Sequence, residues 1–140
     1  MSAVSFASEQ TNFTLPNKKS IKSWLNSVVK AEKKSLGEIA FVFCTDDYLL
    51  DINKRFLAHD YYTDVITFDY SVESSISGDV FISIDRVAEN ATKVGVSFEN
   101  ELHRVLLHGV LHLLGYKDKT SVEKALMTDK EDFYLSLRAF

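Results

Sequence analysis

Cysteine is nearly absent: Cys44 is the single thiol in 140 residues. No internal disulfide is possible, which removes the stapled secreted scaffolds and makes the cytoplasm the expected location. Cys44 ends an apolar run, the setting of a buried, inert thiol rather than of a nucleophile or ligand. Proline occurs once, at Pro16, and glycine five times. Linkers are therefore scarce, and residues 1–140 read as a single domain, long enough for a real core. No apolar run approaches the length of a membrane span, so no membrane association is expected. The start, Met1-Ser2-Ala3-Val4-Ser5, lacks the basic and long apolar regions of a secretion signal. Positive charge is also short. Lys and Arg number 16 against 20 Asp and Glu, a net charge of −4. Bulk electrostatics cannot hold a nucleic acid at that balance; a local basic patch would have to.

The periodicities that are present alternate between strand and helix. Ser5-Phe6-Ala7 reads as a short first strand. Ile21, Trp24, Leu25, Val28 and Val29 recur at helical spacing, with Asn17 as N-cap. Gly37 breaks the chain, and Glu38 to Phe43 reads as a strand buried on both faces. Thr45 caps a short helix that carries Leu49, Ile52 and Phe56 on one face. A polar and aromatic loop, Ala58 to Tyr62, precedes a β-branched strand from Thr63 to Phe68. After a polar loop from Ser71 to Ser77 comes the strand Gly78 to Ile84, an antiparallel neighbour of the strand ending at Phe68. Asp85 caps a helix from Arg86 to Val94 that Gly95 stops. Ser97 caps a leucine-rich helix, and Glu99 and Glu101 suit the dipole at its start. Thr120 and Glu123 form a capping box for a last helix carrying Val122, Leu126, Phe133 and Leu137. The expected fold is α+β: a small mixed sheet of about four strands packed against helices.

The chemistry is concentrated in Leu107 to Asp118. His108 and His112 are four residues apart, Gly115 follows three residues later and Asp118 three after that. On a helix the two histidines are separated by one turn and roughly 40° around the axis, so both imidazoles reach one ion. Gly115 can end the helix with positive φ and turn the chain back toward the same point. A metal needs lone-pair donors converging at about 2 Å, and three ligands on one side leave positions open for water and substrate. His108, His112 and Asp118 are the expected ligands of one divalent ion. Zinc accepts this donor set, and the two-histidine, one-carboxylate pattern also serves other first-row metals.

The layout parallels the zincin-like metal helix, in which a third ligand follows a glycine turn. Zinc peptidases of that kind carry Glu directly after the first histidine as general base. Here that position is Gly109, and a peptidase mechanism has lost its base. Gly109 costs about 1 kcal/mol against Ala in a helix interior; it either clears space for substrate or lets a strand approach. His103, about 140° around the helix from His108, reads as a surface or supporting residue. Glu101 lies too far along the axis to bind the same ion, yet can line the cleft.

From His108 to Tyr116 the chain matches the pattern His-Gly-x-Leu-His-Leu-x-Gly-Tyr. Asn53, the block Asp60-Tyr61-Tyr62-Thr63-Asp64-Val65-Ile66-Thr67-Phe68, the strand start Gly78-Asp79-Val80, and Met127 with Glu131 follow the same order. In these blocks the sequence resembles the YbeY family of bacterial metallo-endoribonucleases. The resemblance implies a bound zinc and cleavage of single-stranded RNA. It also implies a role in 3′-end maturation of small-subunit ribosomal RNA and in ribosome quality control, with that RNA and the small ribosomal subunit as partners. The sequence departs from the family pattern at Asp118, where a third histidine falls, at Lys117, where an Asp precedes it, and at Leu57, where the family usually has Arg.

Phosphodiester hydrolysis at such a site calls for a base unless hydroxide on the ion suffices. Asp64 and Asp79, both at strand starts, are the candidates. Arg55, His59 and Lys117, with Lys119, can meet phosphates, and Tyr61 and Tyr62 can stack on bases. Two other readings stand beside this one: a metal-dependent hydrolase of another substrate class, and a non-catalytic ribosome assembly factor whose metal only holds the loop after Gly115.

Overall fold

Ile39, Phe41 and Phe43 alternate along one strand and are all buried, so the period-two pattern expected there is realised. The structure is a computed structural model that describes residues 3–140. Met1 and Ser2, part of the stretch read for a secretion signal, lie outside the described residues. The chain runs β1 (Val4–Glu9), α1 (Lys18–Ala31), β2 (Ser35–Cys44), α2 (Asp46–Leu57), β3 (Val65–Asp69), β4 (Ser75–Ser83), α3 (Ile84–Val94), α4 (Phe98–Leu113) and α5 (Ser121–Ser136). The four strands form one sheet in the order β1-β2-β4-β3. β1 and β4 flank β2 in parallel, and β3 pairs antiparallel with β4 in the register Val65 to Ile82 through Asp69 to Gly78. This is the α+β arrangement that the element pattern implies. No helix among the described residues is long and apolar enough to cross a membrane.

The main core lies between one face of the sheet and helices α1, α4 and α5, with Ile21, Leu25, Phe41, Ile82, Leu106 and Leu107 fully enclosed. A smaller cluster on the other face joins Leu49 and Ile52 of α2 to Cys44 and Ile66. α2 is short and covers the β4–β3 side. Ala40 and Val42 of β2 consequently stay partly exposed, and β2 is not buried on both faces. Cys44 is enclosed, its Sγ–H donating to the Ile82 carbonyl, and burial first, then nearby carboxylates, push the thiol up to about 12. It is inert.

Local signals hold where the backbone decides and slip where packing decides. Thr45, Ser97 and Thr120 cap their helices through side-chain oxygens, and Thr120 with Glu123 completes the capping box. α3 is capped by Ser83 rather than Asp85; Asp85 instead accepts from the Asp46 N–H at the start of α2. Asn17 stands at the α1 N-cap in the left-handed region with no side-chain cap bond. Gly37 does not end a segment. It sits inside β2 at an irregularity in the pairing with β4, where an added Cβ would fall 2.1 Å from Ser77 Oγ. Phe56 is exposed, and Asn53 takes the buried position on α2.

The largest reversal is in α5. Val122, Leu126, Phe133 and Leu137, the apolar residues read along this helix, lie in solvent; Met127, Glu131, Tyr134 and Leu135 are buried. Polar bonds set the rotation of the helix. Glu131 meets Arg104 and His108, the Tyr134 hydroxyl donates to Glu32, and Trp24 Nε1–H donates to the Tyr134 carbonyl. The same rotation buries Met127 and Leu135, so the inward face has its own apolar contacts beside these bonds.

Candidate metal centre

α4 carries a largely buried stretch from Leu102 to Leu113 past the sheet, with Arg104, His108 and His112 only partly buried. At Gly109 it comes so close to β4 that a Cβ would lie 2.8 Å from Val80 Cγ1. Of the two uses open to Gly109, close helix-to-sheet packing is the one realised. The helical repeat sets His108 and His112 side by side, both partly buried, with ring centroids 4.5 Å apart. The helix then ends in a Schellman turn. Tyr116 N–H donates to the Leu111 carbonyl and Gly115 N–H to the His112 carbonyl, each at 3.0 Å, with Gly115 at φ +106°. The reversed chain brings Asp118 Oδ2 to 3.2 Å from His108 Nε2 and 3.4 Å from His112 Nε2, and the two Nε2 atoms are 2.9 Å apart.

The protons on the imidazoles follow from their outer partners. His112 Nδ1 faces the Tyr116 carbonyl at 2.9 Å. A carbonyl only accepts, so Nδ1 carries the hydrogen. His108 Nδ1 faces Glu131 Oε2 at 2.7 Å and donates to it. With both Nδ1 atoms protonated, neutral rings present bare lone pairs at Nε2. Two such lone pairs and a carboxylate oxygen then face one another. A bound cation satisfies all three at once. Donors about 2 Å from a tetrahedral ion stand about 3.3 Å apart, close to the triangle found here. His108, His112 and Asp118 fit a metal and are the group among the described residues with the spacing to hold one.

The surroundings tune the two rings differently. Burial alone would lower His108, but its bond to Glu131 and the charges of Glu131, Asp118 and Asp64 outweigh it and hold the imidazole above its ordinary range. Burial and then the neighbouring His108 hold His112 below it. Burial likewise raises Asp64 despite the opposing pull of His108, and raises Glu101, with the Asp64 charge adding to it.

Two clefts meet at His108. One, of about 380 Å³, is bordered by Asp64, Glu101, Arg104, Lys124 and Glu131; the other, of about 570 Å³, by Leu57, His59, Tyr61, Asp64, His112 and Lys119; Asp118 borders both. The structure thus brings Asp64 and His59 into a cleft shared with His108, His112 and Asp118, and places Glu101 in the wall of the other. It separates Asp79, whose carboxylate accepts from the Tyr70 hydroxyl in a different cleft beside Glu38 and Ser77. Asp79 is not at a strand start: it lies in the middle of β4, paired with Phe68 and Ala40. Arg55 is exposed and paired with Asp51 at 3.0 Å, and Lys117 is exposed; neither borders either cleft. Tyr61 stacks on His59, whereas Tyr62 is drawn toward Asp47 and Arg86. His103 is neither ligand nor surface: it is buried between Trp24 and Phe140, with Arg138 bonded to its Nδ1.

Arg104 escaped sequence reasoning. It bridges Glu131 and Asp132 across α4 and α5. Its spacing of four residues before His108 is the one signal available, and it says nothing of the partner helix.

A family model described as Endoribonuclease YbeY matches residues 4–138. The chain belongs to the YbeY endoribonuclease family. Endoribonuclease YbeY of Cytophaga hutchinsonii is 54% identical over 136 residues, covering 96% of this chain and 95% of that protein. The YbeY of Bacteroides thetaiotaomicron is 42% identical, over 97% of this chain and 99% of its own length. The solution structure of TM1509 from Thermotoga maritima superposes with a TM-score of 0.67 at 27% identity, covering 95% of this chain and 87% of that one.

Proposed function

We propose that this chain is a metal-dependent, single-strand-specific endoribonuclease with one zinc ion held by His108, His112 and Asp118. The convergence of three proton-free donor atoms on one point of an open cleft, in a member of an endoribonuclease family, carries this reading. The chemistry a divalent ion supplies when bound is acidification of water and polarisation of a phosphoryl oxygen. Asp64 borders the triad from both clefts, and its raised carboxyl suits it to take and return a proton there. His59 and Lys119 line the wall that a phosphate would meet, and Lys117 lies one residue before the Asp118 ligand. The resemblance to the YbeY family supports a cytoplasmic role in 3′-end maturation of small-subunit ribosomal RNA and in ribosome quality control, on the small subunit.

The test joins elemental analysis of the purified protein to cleavage of labelled single-stranded RNA, with and without chelator. Wild type is expected to hold one metal per chain and to cut RNA until chelated. His108→Ala and Asp118→Ala are expected to lose both. Full metal content in Asp118→Ala would remove Asp118 from the ligand set, and a wild type that never cuts RNA would remove the enzyme reading.

A further inference from the structure

Net charge −4 demands a local basic patch if RNA is to be held by charge. Neither cleft beside the triad supplies one: Lys119 is the lone Lys or Arg among the described residues that border the larger, and in the smaller Arg104 is paired with Glu131 and Asp132, which leaves Lys124. What the larger does offer is the backbone of an edge strand. β3 has a single neighbour, β4. Ser83 N–H donates to the Asp64 carbonyl at 2.9 Å and Tyr70 N–H to the Ser77 carbonyl at 2.8 Å. In an antiparallel ladder the direction of the backbone groups alternates. Asp64, Ile66, Phe68 and Tyr70 therefore turn theirs toward β4, and Val65, Thr67 and Asp69 turn theirs outward, along the cleft that also contains His108, His112 and Asp118. The Val65 N–H lies beside the Asp64 carboxylate, and Thr67 and Asp69 are the outward donors clear of it. Thr67 adds a second sign of an absent partner. Its Oγ1 is the buried side-chain oxygen or nitrogen among the described residues with no hydrogen bond.

We propose that the free edge of β3 is the RNA-backbone subsite of this cleft, with Thr67 at its centre. The inference rests on the ribonuclease reading above and names how its substrate is held. Outward groups on alternate residues recur every 6–7 Å or so, comparable to the spacing of phosphates along an extended strand. Single-stranded RNA presents phosphate oxygens that accept and 2′-hydroxyls that donate. The edge presents N–H groups that donate and carbonyls that accept. Phosphates meet the N–H groups of Thr67 and Asp69 together with the unpartnered Thr67 hydroxyl, and a 2′-hydroxyl meets an outward carbonyl. DNA lacks that second partner. Recognition by neutral backbone groups also reconciles RNA binding with an acidic protein, because it needs few released counterions.

The test uses the full chain with zinc bound and a short single-stranded RNA with phosphorothioate linkages, beside DNA of the same sequence. On titration the amide signals of Thr67 and Asp69 are expected to move most. Thr67→Val and Asp69→Pro are each expected to weaken binding about tenfold, the loss of one hydrogen bond to a charged group. Proline at 69 removes an outward N–H without touching the ladder, and Thr67→Val tests the site alone if the proline variant misfolds. DNA is expected to bind about tenfold more weakly, and log affinity to fall with log salt at a slope of about −1, as for one or two neutralised phosphates. Amide shifts confined to other surfaces, unchanged affinity in both variants, or a steep salt slope would overturn the proposal. Displacement of RNA from β3 by an unstructured peptide that binds more tightly would overturn it in favour of a protein partner. The catalytic reading is scored separately: RNA at β3 without chelator-sensitive cleavage removes the enzyme and keeps the subsite, and cleavage with unmoved β3 amides does the reverse.

Discussion

Glu131 Oε2 accepts from His108 Nδ1 at 2.7 Å, while its other oxygen accepts from Arg104 at 2.9 Å. One buried carboxylate on α5 thereby sets the tautomer of His108 on α4 and is itself held by a cation of α4. Outer partners of this kind raise ligand basicity, and their loss costs about 10- to 100-fold in metal affinity. Glu131→Gln keeps the size and loses the charge. We expect its zinc affinity, read by chelator competition, to drop by about that factor with little change in fold.

Asp118 tests the charge of the centre. Two neutral imidazoles and a carboxylate leave a divalent ion with net +1; three imidazoles leave +2. Asp118→His restores the third histidine of the family pattern. It should retain metal, and the acid limb of the cleavage-against-pH profile should move to lower pH, because water beside the more positive centre ionises more readily. An unmoved limb would show that the titrating group is not at the metal.

Metal uptake should depend on pH through His108 before His112. A protonated imidazole has no lone pair for a metal, so protons compete with the ion. Glu131, Asp118 and Asp64 overcome burial and hold His108 above its ordinary value, whereas burial holds His112 below. As pH falls, affinity is expected to start declining above the ordinary imidazole range, with proton release on binding seen by calorimetry in two buffers. A decline that begins only below that range would contradict the assignment.

The two glycines of the motif should fail differently. Gly109→Ala gains helix propensity but drives a Cβ to 2.8 Å from Val80, an overpacking of about 1–3 kcal/mol. Gly115 has open space around it, yet its φ of +106° strains any other residue. Gly115→Ala should cost about 1 kcal/mol or more and should also weaken metal binding, since the turn aims Asp118. Denaturant melts with and without zinc separate the two: the Gly109 variant loses stability in both, and the Gly115 variant loses zinc stabilisation as well.

α5 offers a check on its rotation. Leu126→Ser and Phe133→Ser lie on the exposed stripe and should change stability by about 0.5 kcal/mol or less. Met127→Ala and Leu135→Ala lie on the buried face and should cost about 2–5 kcal/mol. The opposite ranking in denaturant melts would mean that the helix is turned the other way.

Much of this molecule was legible in the chain itself, and always for local reasons. Caps at Thr45, Ser97 and Thr120 depend on a side chain and an N–H three residues away. The pairing of His108 with His112 depends on the pitch of one helix, and the return of Asp118 on the turn that Gly115 permits. Each is decided within a dozen residues, so residue type and spacing suffice. Strand pairing of β3 with β4 was legible for the same reason, through a short connection.

What only the tertiary structure decided involves partners far apart in sequence. Two apolar-looking stripes compete on α5, and Arg104, His108, Trp24 and Glu32, from other helices, choose between them. Asp64 and Asp79 look alike as acidic residues at strand starts, but sheet order places one beside the triad and the other in a separate cleft. The outward groups of β3 become a feature of the centre only because β3 lies at the edge, and no spacing along the chain records which strand has one neighbour rather than two. The sequence by itself determined the metal helix and its turn, because their geometry is helical and local. The supporting carboxylate, the choice of Asp64 and the free edge of the cleft were set by long-range packing, where burial and unpaired polar groups outweigh local preference.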